Sequence, residues 1–136
     1  MSGTLQQKQE IINALENYVF HNVPLKESAD RLGISKQLLA FRIDKLSPIV
    51  QKEIRDHLYD LFEANSSSYN DVEKIKIKRK IFGWSQQKLT DKLNATWGEL
   101  CFSKSTIAAI ESGRLKLSKK YKRHIFYVLR LSTITN

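Results

Sequence analysis

Glycine and proline punctuate this chain rarely, with five glycines and two prolines in 136 residues, so most of it is free to run as uninterrupted helix. The places where they fall are informative. Gly33 ends a short helical stretch in a position suited to a left-handed C-cap, Gly83 falls near the end of another stretch of helical apolar spacing, and Gly113 closes a third. Pro48 follows Ser47, a pairing that stops one helix and opens the next, because proline is welcome in a first helical turn. The reading is therefore all-α.

Local patterns fill in the elements. Leu5, Ile11, Ile12, Leu15, Tyr18 and Val19 mark a first helix, broken by residues 22–24. Residues 28–32 form a short second helix ended by Gly33. Ser35 caps a third, with Leu38, Leu39, Ile43 and Leu46 facing inward. Ile49, Ile54, Leu58, Leu61 and Phe62 stripe a fourth. Residues 64–70 combine Asn and Ser without apolar periodicity and read as a linker. Beyond it Val72, Ile75, Arg79 and Phe82 keep a helical period. Ser85 caps 86–93, residues 94–102 form a longer connection, Ser103 caps 104–111, and 118–131 make the last helix. Lys74-Ile75-Lys76-Ile77-Lys78 alternates like an edge strand, but the helical reading fits its surroundings better. The expected organisation is two small helical domains, 1–63 and 71–136, joined by the linker 64–70.

Charge is distributed unevenly between these halves. Residues 1–66 hold 8 basic against 9 acidic side chains, whereas 67–136 hold 15 against 5, so the whole net charge of +9 comes from the C-terminal half. Such an excess makes a polyanion the natural partner. Other classes lose ground. No apolar run approaches the length of a membrane span, and residues 1–10 lack the apolar stretch of a secretory signal, so an intracellular protein is expected. Cys101 is the single cysteine, read as a small buried hydrophobe rather than a nucleophile. His21, His57 and His124 have no ligand spacing. No metal, cofactor, small-molecule substrate or enzymatic activity is expected.

Two helix-turn-helix patterns carry the functional reading. Such a unit needs a small residue in its first helix, a residue tolerant of positive φ at the turn, and an apolar anchor in its second. Ala29, Gly33 and Leu39 supply these in order. From Glu10 onward, about 40 residues resemble the helix-turn-helix of Fis-type and resolvase-type bacterial regulators. On that resemblance the outward residues of the recognition helix are Ser35, Lys36, Gln37, Ala40 and Phe41, with Arg42 nearby. They are secondary DNA-binding candidates, since this half carries no positive excess. Dimerisation through Phe20, Leu38, Phe41 or residues 59–62 is the other use open to it.

In the second half, Arg79-Lys80-Ile81-Phe82-Gly83-Trp84-Ser85-Gln86 resembles the opening of lambda-repressor-like and POU-specific domains. Ser103-Lys104-Ser105-Thr106-Ile107, followed by Ile110-Glu111, resembles their recognition helix, and Ser112-Gly113-Arg114 the loop after it. The long connection 94–102, Phe102 and Leu115-Lys116-Leu117-Ser118 are more like the POU-specific version. The resemblance implies that Ser85 and Gln86 open the helix before the recognition helix, with Gln86 on a phosphate. It implies that Lys104, Ser105, Ala108 and Ala109 face the bases from a helix capped by Ser103. It further implies that Arg114, Lys116, Lys119 and Lys120 meet phosphates, and that Glu111 serves structure through a buried ion pair, with Arg79 as candidate partner. Ala109 departs from the longer polar residue frequent there; an alanine can still pack on a thymine methyl.

The expected function is sequence-specific binding of double-stranded DNA by a transcriptional regulator, intracellular and DNA-associated: in the nucleus if the source is a eukaryote, in the cytoplasm or nucleoid if it is a bacterium or phage. Two alternatives stand beside it: a protein-interaction adaptor with weak non-specific DNA binding, and a DNA-binding accessory of a recombinase or transposase system.

Overall fold

The computed structural model describes residues 5–98 and 102–131, and every regular element among them is helical. In chain order these are α1 (Leu5–His21), α2 (Leu25–Leu32), α3 (Lys36–Asp44), α4 (Pro48–Ala64), a single 3-10 turn at Ser66–Ser68, α5 (Asp71–Ile81), α6 (Gln86–Thr96), α7 (Lys104–Ser112) and α8 (Lys119–Leu129). The chain divides into two compact units, Met1–Leu61 and Phe62–Asn136, with the boundary inside α4.

The first unit is assembled from short caps and one sharp turn. α1 buries Ile11, Ala14 and Val19, three, five and eight residues apart and hence on one face. Asn22 closes it at φ 57°, a left-handed conformation asparagine tolerates, and Val23 N–H bonds the Asn17 carbonyl at 3.0 Å. α2 begins at Leu25, just after Pro24, one turn earlier than the apolar pattern indicates. It ends on Gly33 at φ 73°, and Ile34 N–H reaches back to the Ala29 carbonyl at 3.0 Å. Ser35 Oγ then accepts from Leu38 N–H and starts α3. Ala29 and Leu39, both fully buried, let α2 and α3 approach closely. Three expected inward residues point out instead: Leu5, Leu38 and Ile49 are exposed. Leu5 and Ile49 sit in the first turns of α1 and α4. Leu38 gives up the interior of its short helix to Leu39.

The second unit holds the larger core. Ile75 from α5, Leu89 and Leu93 from α6, Ile107 and Ile110 from α7, and Ile125, Phe126 and Leu129 from α8 form one cluster closed by Phe102. Each such side chain contributes about 1.5–3 kcal/mol on burial. Val72, Phe82 and Trp84 pack against it half-buried. α5 opens with a capping box in which Asn70 Oδ1 accepts from Glu73 N–H at 2.8 Å and Glu73 Oε1 from Asn70 N–H at 3.1 Å. The lysine-rich segment 74–78 lies wholly within this helix. Its strand-like alternation arises because α5 is enclosed on more than one side, burying Ile75, Ile77, Lys78, Arg79 and Ile81. α6 runs on to Thr96, shortening the expected connection from its N-terminal side. α8 stops at Leu129, where Arg130 takes φ 58° and Leu131 N–H bonds the Phe126 carbonyl at 2.8 Å. Cys101 lies outside the described residues.

Candidate nucleic-acid interface

α7 is held in place from three directions. Its inner face buries Ile107 and Ile110. One turn on, Glu111 also points inward and accepts two parallel bonds from Arg79, Nε to Oε2 at 2.7 Å and Nη2 to Oε1 at 2.8 Å. Both side chains are almost fully enclosed, 7% and 4% exposed. Arg79 Nη1 donates to the Trp84 carbonyl at 2.8 Å and Gln86 Nε2 to Glu111 Oε1 at 3.1 Å. One carboxylate therefore joins α5, the turn after it, the start of α6 and the end of α7. A two-pronged arginine–carboxylate bond fixes direction as well as distance, so α7 is locked against rolling about its axis.

A second clamp fixes the start of α7. Asn94 Oδ1 accepts from Phe102 N–H at 2.7 Å and Asn94 Nδ2 donates to the Phe102 carbonyl at 2.8 Å. The asparagine thus mimics a strand partner and pins the residue directly before the Ser103 cap. Ser103 Oγ accepts from Thr106 N–H at 3.1 Å, and Ser85 Oγ does the same for Lys88 N–H at 3.0 Å.

With the inner face fixed, the outer face follows. Lys104 and Ser105 are exposed on the first turn. Ala108 and Ala109 are half-buried rather than open, because the chain folds back over the helix end: the Ala109 carbonyl accepts from Leu115 N–H at 3.0 Å and from Ser112 Oγ at 3.1 Å. Gly113, at φ 82°, makes that reversal possible. Arg114, whose Nε donates to Ser112 Oγ at 3.1 Å, and Lys116 project from the loop, and Lys119 and Lys120 from the first turn of α8; all four are exposed. No ion pair among the described residues engages Lys104, Arg114, Lys116, Lys119 or Lys120. Gln86 is half-buried, with its amide nitrogen on Glu111.

In the first unit, Ser35 is occupied as the α3 cap, and Lys36 and Gln37 are exposed. Phe41 is 56% exposed, with Lys45 Nζ 5.3 Å above its ring. Arg42 lines an open cavity of about 540 Å³ between α1, α3 and the start of α4. The histidines have local roles: His57 Nε2 meets Glu16 at 2.6 Å, and His124 Nδ1 meets the Lys120 carbonyl at 2.7 Å with its ring edge-on to Trp97. No cluster of three or more His, Cys, Asp or Glu stands among the described residues, and no helix there is long and apolar enough to cross a membrane.

Sequence reasoning missed the Asn94–Phe102 clamp, whose only local sign is an asparagine at the end of an apolar helical pattern. It also missed that Gln86 turns towards Glu111, a contact 25 residues away in the chain. The chain matches no protein-family model, and comparison with curated proteins and with solved structures found no match.

Proposed function

We propose that this chain binds double-stranded DNA sequence-specifically, as a transcriptional regulator, with α7 in the major groove. The observation that carries the reading is the two-faced character of α7. Its inner side is fastened by the Arg79–Glu111 pair, while Lys104 and Ser105 stand outside with Arg114, Lys116, Lys119 and Lys120 around them, and none of these five cations has an ion-pair partner among the described residues. A rigid helix with short polar side chains can enter a groove closely, and a lysine on its first turn reaches guanine O6 or N7. The surrounding cations meet phosphates, which fix position and supply most of the salt-dependent affinity. Gln86 braces the assembly through its amide nitrogen on Glu111. The excess of 15 basic over 5 acidic side chains in residues 67–136 steers the duplex to this unit.

The test is selection of binding sites from random duplexes by the full chain, followed by salt titration of the winners. A single enriched core motif is expected. Lys104→Ala should weaken binding to that motif by about 1–3 kcal/mol and binding to random duplex by less. Lys116→Ala should weaken both alike and flatten the salt slope by about one phosphate. Absence of any enriched motif overturns the reading.

A further inference from the structure

The open groove of the first unit has a chemistry unlike that of the second. Ile11 of α1, Phe41 of α3, and Leu46 and Val50 at the start of α4 form an apolar floor in a cavity of about 540 Å³. The apolar surface does not stop at the cavity. Leu38, one turn before Phe41 on α3, is 38% exposed, and Ile49, next to Val50, is 73% exposed. An apolar skirt of this kind outside a pocket exceeds what a small ligand covers and marks a docking surface for a larger partner. The rim is cationic: Lys8, Arg42 and Lys45 line the cavity and no acidic side chain does. That is selective, because residues 1–61 carry equal numbers of the two signs, 8 basic and 8 acidic. Lys8 is partly answered by Glu53 at 3.1 Å, and Lys45 lies over the Phe41 ring. The exposed aromatic is therefore framed by positive charge.

We infer that this groove docks a protein segment that presents apolar side chains flanked by carboxylates. The apolar residues of such a segment fill the floor around Phe41, and its carboxylates meet Arg42 and Lys45. An exposed aromatic beside an arginine, as Phe41 beside Arg42, is the composition of an interface centre, where aromatic residues and arginine are enriched and carboxylates depleted, and the lysines belong to its polar rim. DNA fits this surface poorly, since an exposed phenylalanine and leucine offer little to phosphates and the unit has no net positive charge to attract them.

The test is display of random peptides of about 16 residues, long enough for four helical turns, panned on the full-length chain. Enriched peptides should combine Leu, Ile, Phe or Trp with Asp or Glu at helical spacing. A labelled winner should lose about thirtyfold in affinity on Phe41→Ser, the expected cost of truncating an anchor. Lys45→Glu should also weaken it, and exchange of the peptide's carboxylates for lysines should restore binding to that variant alone. Both changed residues are exposed, so far-UV circular dichroism should be unaltered. Three results overturn the inference: winners without carboxylates, winners whose affinity ignores Phe41→Ser, or a concentration-dependent dimer that Phe41→Ser abolishes, which would make a second copy of this chain the occupant. Duplex binding by the full chain is measured alongside; its retention in Phe41→Ser separates this surface from the DNA reading.

Discussion

In the first unit α2 turns towards α3 at Gly33, and in the second α5 turns towards α6 at Gly83 and α7 into its loop at Gly113. All three glycines take left-handed φ, between 73° and 82°, and each turn is closed by a backbone N–H reaching back across it, to Ala29 from Ile34, to Arg79 from Trp84 and to Ala109 from Leu115. Behind the turns the units diverge. The second locks its helices with a buried Arg79–Glu111–Gln86 network. The ion pairs of the first unit lie at its surface, at Lys8–Glu53, Lys26–Asp30, Arg31–Glu27, Lys52–Asp56 and His57–Glu16, and such pairs are each worth little. It also buries Ser28, 6% exposed, whose Oγ has no hydrogen-bond partner among the described residues. A shared turn thus sets the angle between helices, and the polar contacts behind it decide how firmly that angle is held. The outward faces differ in the same sense: lysine and serine on the fastened α7, leucine and phenylalanine on α3.

The sharpest way to break this comparison is Glu111→Ala. It leaves the Arg79 guanidinium buried without a carboxylate, and breaking one side of a buried pair costs about 3–5 kcal/mol. Both tryptophans, Trp84 and Trp97, lie in the second unit, so tryptophan emission during urea unfolding reports on that unit. The emission midpoint should fall accordingly. The double variant Arg79→Met with Glu111→Leu should recover most of the loss, because an apolar pair has no unpaired charge to desolvate. A single variant that unfolds like the wild-type chain would mean the network contributes orientation alone.

These elements differ in how far they could be read from sequence. Ser35, Ser85 and Ser103 cap helices as their positions suggest, and Ser118, read as the first residue of the last helix, caps it instead, each accepting from a backbone N–H three residues on. Caps and glycine turns are local, so sequence order displays them. The Arg79–Glu111 pair spans 32 residues and was reached through a likeness to known domains; no local pattern points to it. The Asn94 clamp and the turn of Gln86 inward depend on how α6 meets α7, which no short window contains. Exposure of Leu38 and Ile49 was equally hidden, since an apolar residue at helical spacing looks the same whether a neighbour covers it or not. Residues 74–80 show the same in reverse: Lys78 and Arg79 are buried because the helix carrying them is surrounded, which their charge alone does not disclose.

Ser28→Ala sharpens the comparison from the other side. The hydroxyl is buried without a partner, and its desolvation is uncompensated in the folded chain. Alanine also suits a helix interior better. The substitution should stabilise the chain by about 1 kcal/mol, read as a higher urea midpoint by far-UV circular dichroism. Destabilisation would show that the hydroxyl is satisfied in solution and that the first unit has a polar fastening of its own.

The smallest effect concerns two neighbours within the second unit. Arg79 meets a carboxylate; Lys78, equally buried, meets the Arg130 carbonyl at 3.4 Å and lies 5.8 Å and 5.7 Å from the Phe62 and Phe82 rings. Burial pushes the Lys78 ammonium below its ordinary pKa of 10.5, with the charge of Glu63 opposing and that of Arg130 assisting. The unfolded chain therefore holds this proton more tightly than the folded one. The cost to folding is complete below the lowered value and fades as pH rises through it towards 10.5. Lys80 is lowered by burial in the same sense, while Tyr69 is raised and acts oppositely above its ordinary 10.0. The informative quantity is thus the difference between wild type and Lys78→Met, which keeps the aliphatic stem and removes the charge. The advantage of methionine should be greatest near neutral pH and shrink on going to about pH 10, measured as urea midpoints of both chains across that range. A difference that stays constant with pH would mean the surroundings of Lys78 compensate its charge as fully as a carboxylate compensates that of its neighbour, and the contrast between the two buried cations would then not hold even within one helix.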